Sequence, residues 1–206
     1  MNASTHPLRC ECGAVQGTIA NPRSSNHAVC YCRDCQAFAH YLGKPNEILD
    51  ARGGSDIVQI QPKNLTFTQG LEQLACIRLT PRGLLRWYSR CCRTPIGNTL
   101  ATPKLSFIGL LHSCLAEDTA SVERSFGPVM AWVNTASARG EPARKTEGLG
   151  RSVWWFLRTA IRARVTGDYR QNPLFHRNTG APVVLPYVLS AEEHTRVMQA
   201  VSSAHL

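Results

Sequence analysis

Between residues 14 and 111 the apolar positions come in short bursts separated by turn residues. Residues 14–19 set Val15, Gly17 and Ile19 against Gln16 and Thr18, the two-residue period of a half-buried strand. Residues 57–60, 65–68, 74–79 and 84–88 repeat the signal, with Gly53-Gly54, Pro62, Gly70 and Pro81-Arg82-Gly83 between or before them. Residues 105–111 are apolar on both faces and predict a strand covered on both sides. Strands recurring at about 8–12 residues with turns between them predict an antiparallel all-β unit. Residues 36–42 could add one or two helical turns.

The pattern changes in the last third. Residues 135–150 are rich in Ala, Gly, Arg and Glu without an apolar period and read as a linker. Over 153–165 the period becomes helical: Trp154, Leu157, Ile161 and Val165 share one stripe, while Arg151, Arg158 and Arg162 share another. The expectation is a helix docked on the β unit through Trp154, Leu157 and Ile161, ended by Gly167. The rings of Trp154, Trp155 and Phe156 suit a membrane interface, but their spread around the helix favours packing. Ser190 followed by Glu193 predicts a capping box opening a final helix to about Ser202.

The chain has 206 residues, 43% of them hydrophobic, enough for one large domain or a domain with an extension. It holds no apolar run long enough to span a bilayer, and its N-terminus lacks the basic start and apolar stretch of a signal peptide. The formal net charge is +9. That charge favours acidic partners, yet no Lys/Arg run exceeds two residues, so nucleic acid is not the favoured partner.

Cysteine changes the picture most. Seven of nine cysteines fall in three clusters: Cys10 and Cys12, then Cys30, Cys32 and Cys35, then Cys91 and Cys92. Such tight spacings suit a metal ion better than strain-free disulfides. They predict two Zn²⁺ sites and a reducing, cytoplasmic location. Gly13 permits the turn after Cys12. Cys30, Cys32 and Cys35 supply three ligands in six residues, which leaves a fourth position open, as in a catalytic zinc, unless Cys76, Cys114 or a histidine closes it. Adjacent Cys91 and Cys92 strain a turn, and Ser89 or water competes with Cys91. Cys76 and Cys114 read as core thiols. His27 and His40 lie near the second cluster and are candidate acids or bases.

The order Cys-x-Cys-Gly, Cys-x-Cys-x-x-Cys-Gln and a late Cys followed by Thr94-Pro95-Ile96 resembles the glutathione-dependent formaldehyde-activating family, also called centromere-protein-V-like. The resemblance covers about residues 6–115. It implies a mainly β, α+β fold overall: a β-tent of packed antiparallel sheets with zinc knuckles, here followed by a helical extension from 116 to 206 packed on the 6–115 domain. It also implies that Cys10, Cys12 and Cys92 hold a structural zinc and that Cys30, Cys32 and Cys35 hold the other. The late family motif is Cys-x-x-Cys-Gly-Thr. Here Ser89 stands at its first Cys, Arg93 at its Gly, and Cys91 is an extra thiol, the candidate fourth ligand. Glu11 and Tyr31 replace the commoner histidines. The implied activity is a zinc-dependent carbon–sulfur lyase acting on a thiol–aldehyde adduct such as that of glutathione. A zinc scaffold for nucleic acid or chromatin and a thiol redox or metal sensor are the alternatives.

Overall fold

The computed structural model describes residues 5–115, 119–140 and 145–204, without the side chains of Thr119 and Ala120. Eleven strands are present among the described residues: β1 (Thr5–Arg9), β2 (Gln16–Ala20), β3 (Asn26–Cys30), β4 (Ser55–Ile60), β5 (Leu65–Gln69), β6 (Leu74–Arg78), β7 (Leu85–Ser89), β8 (Pro95–Thr99), β9 (Ile108–Leu111), β10 (Ala131–Val133) and β11 (Tyr187–Val188). They form a three-stranded antiparallel sheet, β1-β2-β5, and an eight-stranded sheet, β10-β3-β4-β9-β8-β7-β6-β11. Every pairing in the larger sheet is antiparallel except at its edges, where β10 runs parallel to β3 and β11 parallel to β6. The chain is mainly β, as its periodicity predicts.

Alternation along the small sheet sets how the layers meet. β1 and β2 alternate buried and exposed positions, so Leu8 and Ile19 point inward. They meet Val58, Ile60, Leu85, Trp87, Ile108 and Leu110 of the larger sheet in one apolar cluster. β9 is buried at all four positions because both faces are covered. It begins at Ile108, later than the apolar run suggests, and Leu105 is left exposed.

The opposite face of the larger sheet carries α1 (Arg33–Leu42) and α5 (Ala191–Ser203). Phe38, Leu42, Val197 and Val201 pack there with Ile77, Leu79 and Leu111. α1 starts three residues before the apolar period does, because Cys32 is its N-cap: the Cys32 sulfur accepts a hydrogen bond from the Cys35 amide at 3.4 Å. α5 opens with the expected Ser190/Glu193 capping box. A short α2 (Pro45–Ile48) and α3 (Thr119–Phe126) were not signalled by periodicity. α3 presents Phe126 edge-on to the ring of His6, centroids 4.7 Å apart.

α4 (Leu149–Thr166) ends at Gly167 as expected, but its docking face differs from the one the sequence suggests. Trp154, Leu157 and Ile161 are exposed, and the buried positions are Ser152, Ala160 and Ala163. Ser152 sits against Asn26 (Nδ2 to Oγ, 3.0 Å), and Phe156 meets the edge of Phe107. A stripe of small residues lets the helix approach the β unit closely, whereas bulky groups would hold it off. No described helix is long and apolar enough to cross a membrane.

Gly70 ties the end of β5 to the segment after the first cysteine pair. It has φ +73°, and an added Cβ would lie 2.0 Å from the Ala14 carbonyl oxygen. Gly70→Ala should lower unfolding free energy by about 2–3 kcal/mol or more in urea denaturation. Gly150→Ala, in open space on α4, should instead raise it by up to about 1 kcal/mol.

Candidate metal centres

The first centre joins two turns. β1 delivers the chain to Cys10-Glu11-Cys12-Gly13, where Gly13 takes φ +77° and donates its amide to the Cys10 carbonyl at 2.9 Å. The Val15 amide donates to the Cys10 sulfur at 3.2 Å. The turn between β7 and β8 brings Cys91 and Cys92 opposite, and the Glu11 amide clips the two turns together by donating to Thr94 Oγ1 at 3.0 Å. The sulfurs lie 3.6 Å (Cys10–Cys12), 3.8 Å (Cys10–Cys91), 3.3 Å (Cys12–Cys91) and 3.8 Å (Cys91–Cys92) apart. All nine cysteines are free thiols. Four thiolates at about 2.3 Å from a tetrahedral ion stand about 3.8 Å from one another, so this donor set fits a closed four-sulfur metal site.

The turn chemistry explains the departures from the expected motif. Cys91 joins the group, its sulfur 3.3 Å from Cys12 and 3.8 Å from Cys10. Ser89 is buried, with its hydroxyl 3.2 Å from the Cys92 sulfur; Thr94 Oγ1 lies at the same distance. Burial raises the Cys92 pKa, but hydrogen bonds from Ser89, Thr94 and nearby backbone outweigh it and bring the thiol down to about 5. Arg93 stands at φ +59°, in the left-handed region that favours the glycine its position implies. Its guanidinium compensates by donating to the Tyr41 carbonyl at 2.7 Å and lying over the Tyr41 ring.

The second centre gathers Cys30 at the end of β3, Cys32 at the N-cap of α1 and Cys35 in its first turn, all sulfurs within 4.8 Å. Among the described residues no fourth Cys, His, Asp or Glu joins them. Hydrogen bonds from Cys32 and Cys35, with one from Asn134 Nδ2 at 3.2 Å, pull the Cys30 thiol down to about 2. The same neighbours push Cys32 up, and Cys35 rises to about 11, chiefly against Cys30. Without a cation the three sulfurs share essentially one negative charge. A divalent ion would take the place of the remaining protons, which fits the donor set.

Two residues at this centre escaped the sequence reading. Arg86 is 1% exposed, and its Nη1 lies 3.9 Å from the Cys35 sulfur and 3.2 Å from Asn98 Oδ1. Its Nη2 is 3.7 Å from Asp34, and its guanidinium faces the Phe38 ring. An arginine between Leu85 and Trp87 in an apolar strand was the available signal, since such a charge must find a partner when buried. Asn134, at φ +56°, carried no signal.

The other sequence candidates lie elsewhere. Cys76 and Cys114 are core thiols. His27 is buried between Asp56 (2.7 Å) and the Gly127 carbonyl (2.8 Å). His40 Nε2 is buried without a partner, and burial together with Arg139 lowers its pKa. Neither histidine joins a cysteine group. Arg158 and Arg162 line a groove with Lys63 and Asn64 that contains no cysteine.

The fold and its two thiol groups define a mainly β protein with one four-cysteine and one three-cysteine group, each able to hold a metal ion. The chain belongs to a family of unknown function, DUF6151, whose model matches residues 2–185. No curated protein matches it. Among solved structures, a Rhodobacter sphaeroides protein determined as a structural-genomics target is similar at 18% identity and a TM-score of 0.40, covering 62% of this chain and 99% of its own.

Cys12→Ser should lose one metal equivalent and lower the melting temperature by about 10 °C or more, because ligand loss at a closed site removes binding energy coupled to folding. Arg86→Leu should weaken metal retention at the three-cysteine centre about 10–100-fold in chelator competition, while the four-cysteine centre keeps its ion.

Proposed function

We propose that this protein is a two-zinc, carbon–sulfur lyase-type enzyme that acts on a thiol–aldehyde adduct such as a glutathione adduct, and that it works in the reducing cytoplasm. The observation that carries the reading is the difference between the centres: four sulfurs in one, three in the other, with no further protein ligand at the second among the described residues. Zinc held by Cys30, Cys32 and Cys35 supplies a thiophilic Lewis acid with a position free for a substrate sulfur. The resemblance to the glutathione-dependent formaldehyde-activating family, carried by the cysteine order, supports the same assignment.

The surrounding residues prepare that position. Cys35 is buried while Cys30 and Cys32 are half-buried, so solvent and substrate approach from the Cys30/Cys32 side. Arg86 supplies a fixed positive charge behind Cys35, which favours its thiolate form and offsets negative charge brought by a substrate sulfur. Asn134 holds Cys30 by an N–H to sulfur hydrogen bond and so orients it.

Purified without chelator, the chain should carry about two zinc ions, and glutathione titration should perturb the centre of the wild type but not of Cys35→Ser. Cys35→Ser should retain the other zinc and lose less melting temperature than Cys12→Ser. Equal losses in both variants, or no glutathione response from the fully loaded wild type, would count against an open substrate-binding zinc.

A further inference from the structure

The outward face of α4 has no covering layer. At about 100° per residue, Val153, Trp154, Leu157, Ile161 and Val165 occupy an arc of about 120° on the side away from Ser152 and Ala163. They are 47%, 67%, 47%, 63% and 81% exposed. The arc is bounded along one edge by Arg151, Arg158 and Arg162, all exposed, while Arg164 falls inside it near Val153, its guanidinium laid over the Tyr169 ring. The helix carries four arginines and no acidic residue. Beneath the triple-arginine edge runs a groove of about 420 Å³, bordered by Trp154, Trp155, Lys63 and Asn64 and free of acidic side chains. Lys63 in that groove is already paired with Asp168 at 2.6 Å and Arg151 donates to the Met130 carbonyl at 2.6 Å, so Arg158 and Arg162 provide its available charge.

We propose that α4 docks this protein on an anionic phospholipid surface. The helix lies flat at the interface, its aliphatic arc in the outer acyl region and its arginines on headgroup phosphates. Charge decides between this occupant and others. A second copy seated on the same face would set four arginines against four, with no acid on either helix to offset them. A nucleic acid would satisfy the arginines but leave Val153, Leu157, Ile161 and Val165 without partners, since aliphatic groups give bases nothing to stack on. A lipid surface satisfies both at once: an apolar face flanked by basic residues, with an indole at the boundary, is what such an interface binds. The 18-residue helix lies on the bilayer and does not cross it. The docking stands independently of the chemistry at the cysteines.

Vesicle flotation of the full chain tests the proposal, with phosphatidylcholine alone and with phosphatidylserine added. The protein should float with the anionic vesicles, remain unbound with the neutral ones, and detach progressively as salt rises. Arg158→Ala with Arg162→Ala should weaken partitioning about 30-fold, taking roughly 1 kcal/mol per arginine at an anionic surface. Leu157→Ser with Ile161→Ser should weaken it at least about tenfold. Both pairs are exposed, so melting temperature and zinc content should stay at wild-type values. Failure to float on anionic vesicles, equal flotation on neutral ones, or indifference to the Leu157/Ile161 pair would overturn the proposal. So would a dimer by light scattering that this pair dissolves, which would assign the face to a second copy. Duplex DNA binding without vesicle binding would overturn it as well.

Discussion

Sulfur crowding is the constraint on which the rest of this structure depends. Four thiols in one group and three in the other, each group within 4.8 Å and the closest sulfurs 3.3 Å apart, are too close to ionise together unless a cation compensates them. The first group clamps the turn after β1 to the turn between β7 and β8, and so fastens the small sheet to the large one. The apolar cluster between the sheets does the same work along their length. A metal ion held there would make its binding and the sheet packing two parts of one stabilisation.

The second group is balanced differently. Its cysteines come from a strand end and the first turn of the following helix, with Cys35 buried and Cys30 and Cys32 half-buried. Arg86 reaches it from β7 on a distant part of the chain. A buried guanidinium is costly unless paired, and here it has a sulfur, an amide oxygen, a carboxylate and an aromatic face around it. The arginine lies against the cluster's negative charge and favours the Cys35 thiolate, while Cys32, Cys35 and Asn134 hold the charge on Cys30. That buried cation separates this centre from the first, where hydroxyl and amide hydrogen bonds around Cys92 and Cys10 take its place.

α4 shows how packing can invert an amphipathic reading. Its large apolar residues form the more conspicuous stripe, but the docking face is the one made of Ser152, Ala160 and Ala163, filled out by Phe156 and Thr159. Small side chains bring the helix backbone close to β3 and β10, and the Asn26–Ser152 hydrogen bond fixes its rotation. The apolar stripe is left pointing outward between arginines, free to meet a different kind of surface.

The sequence alone determined the features that depend on local spacing. Short apolar bursts between turn residues identified β2, β4, β5, β6, β7 and β9 but not β1, β3 or β8; the Ser190/Glu193 cap and Gly167 set helix ends; and the cysteine intervals grouped the thiols of each cluster, since residues one to three apart must end up near one another. What depends on distant partners was decided only by the tertiary structure. Cys91 rather than Ser89 completes the first group because the turn between β7 and β8 aims the Cys91 sulfur at Cys10 and Cys12 and turns the Ser89 hydroxyl toward Cys92. β10 and β11 are too short to show a period and exist because open edges of the large sheet accept them. Arg86 and Asn134 reach the second centre across 51 and 104 residues of sequence. The rotation of α4 depends on which of two stripes fits the surface beneath it. Spacing along the chain sets which groups are neighbours in sequence; only the folded surface determines which side chains face one another.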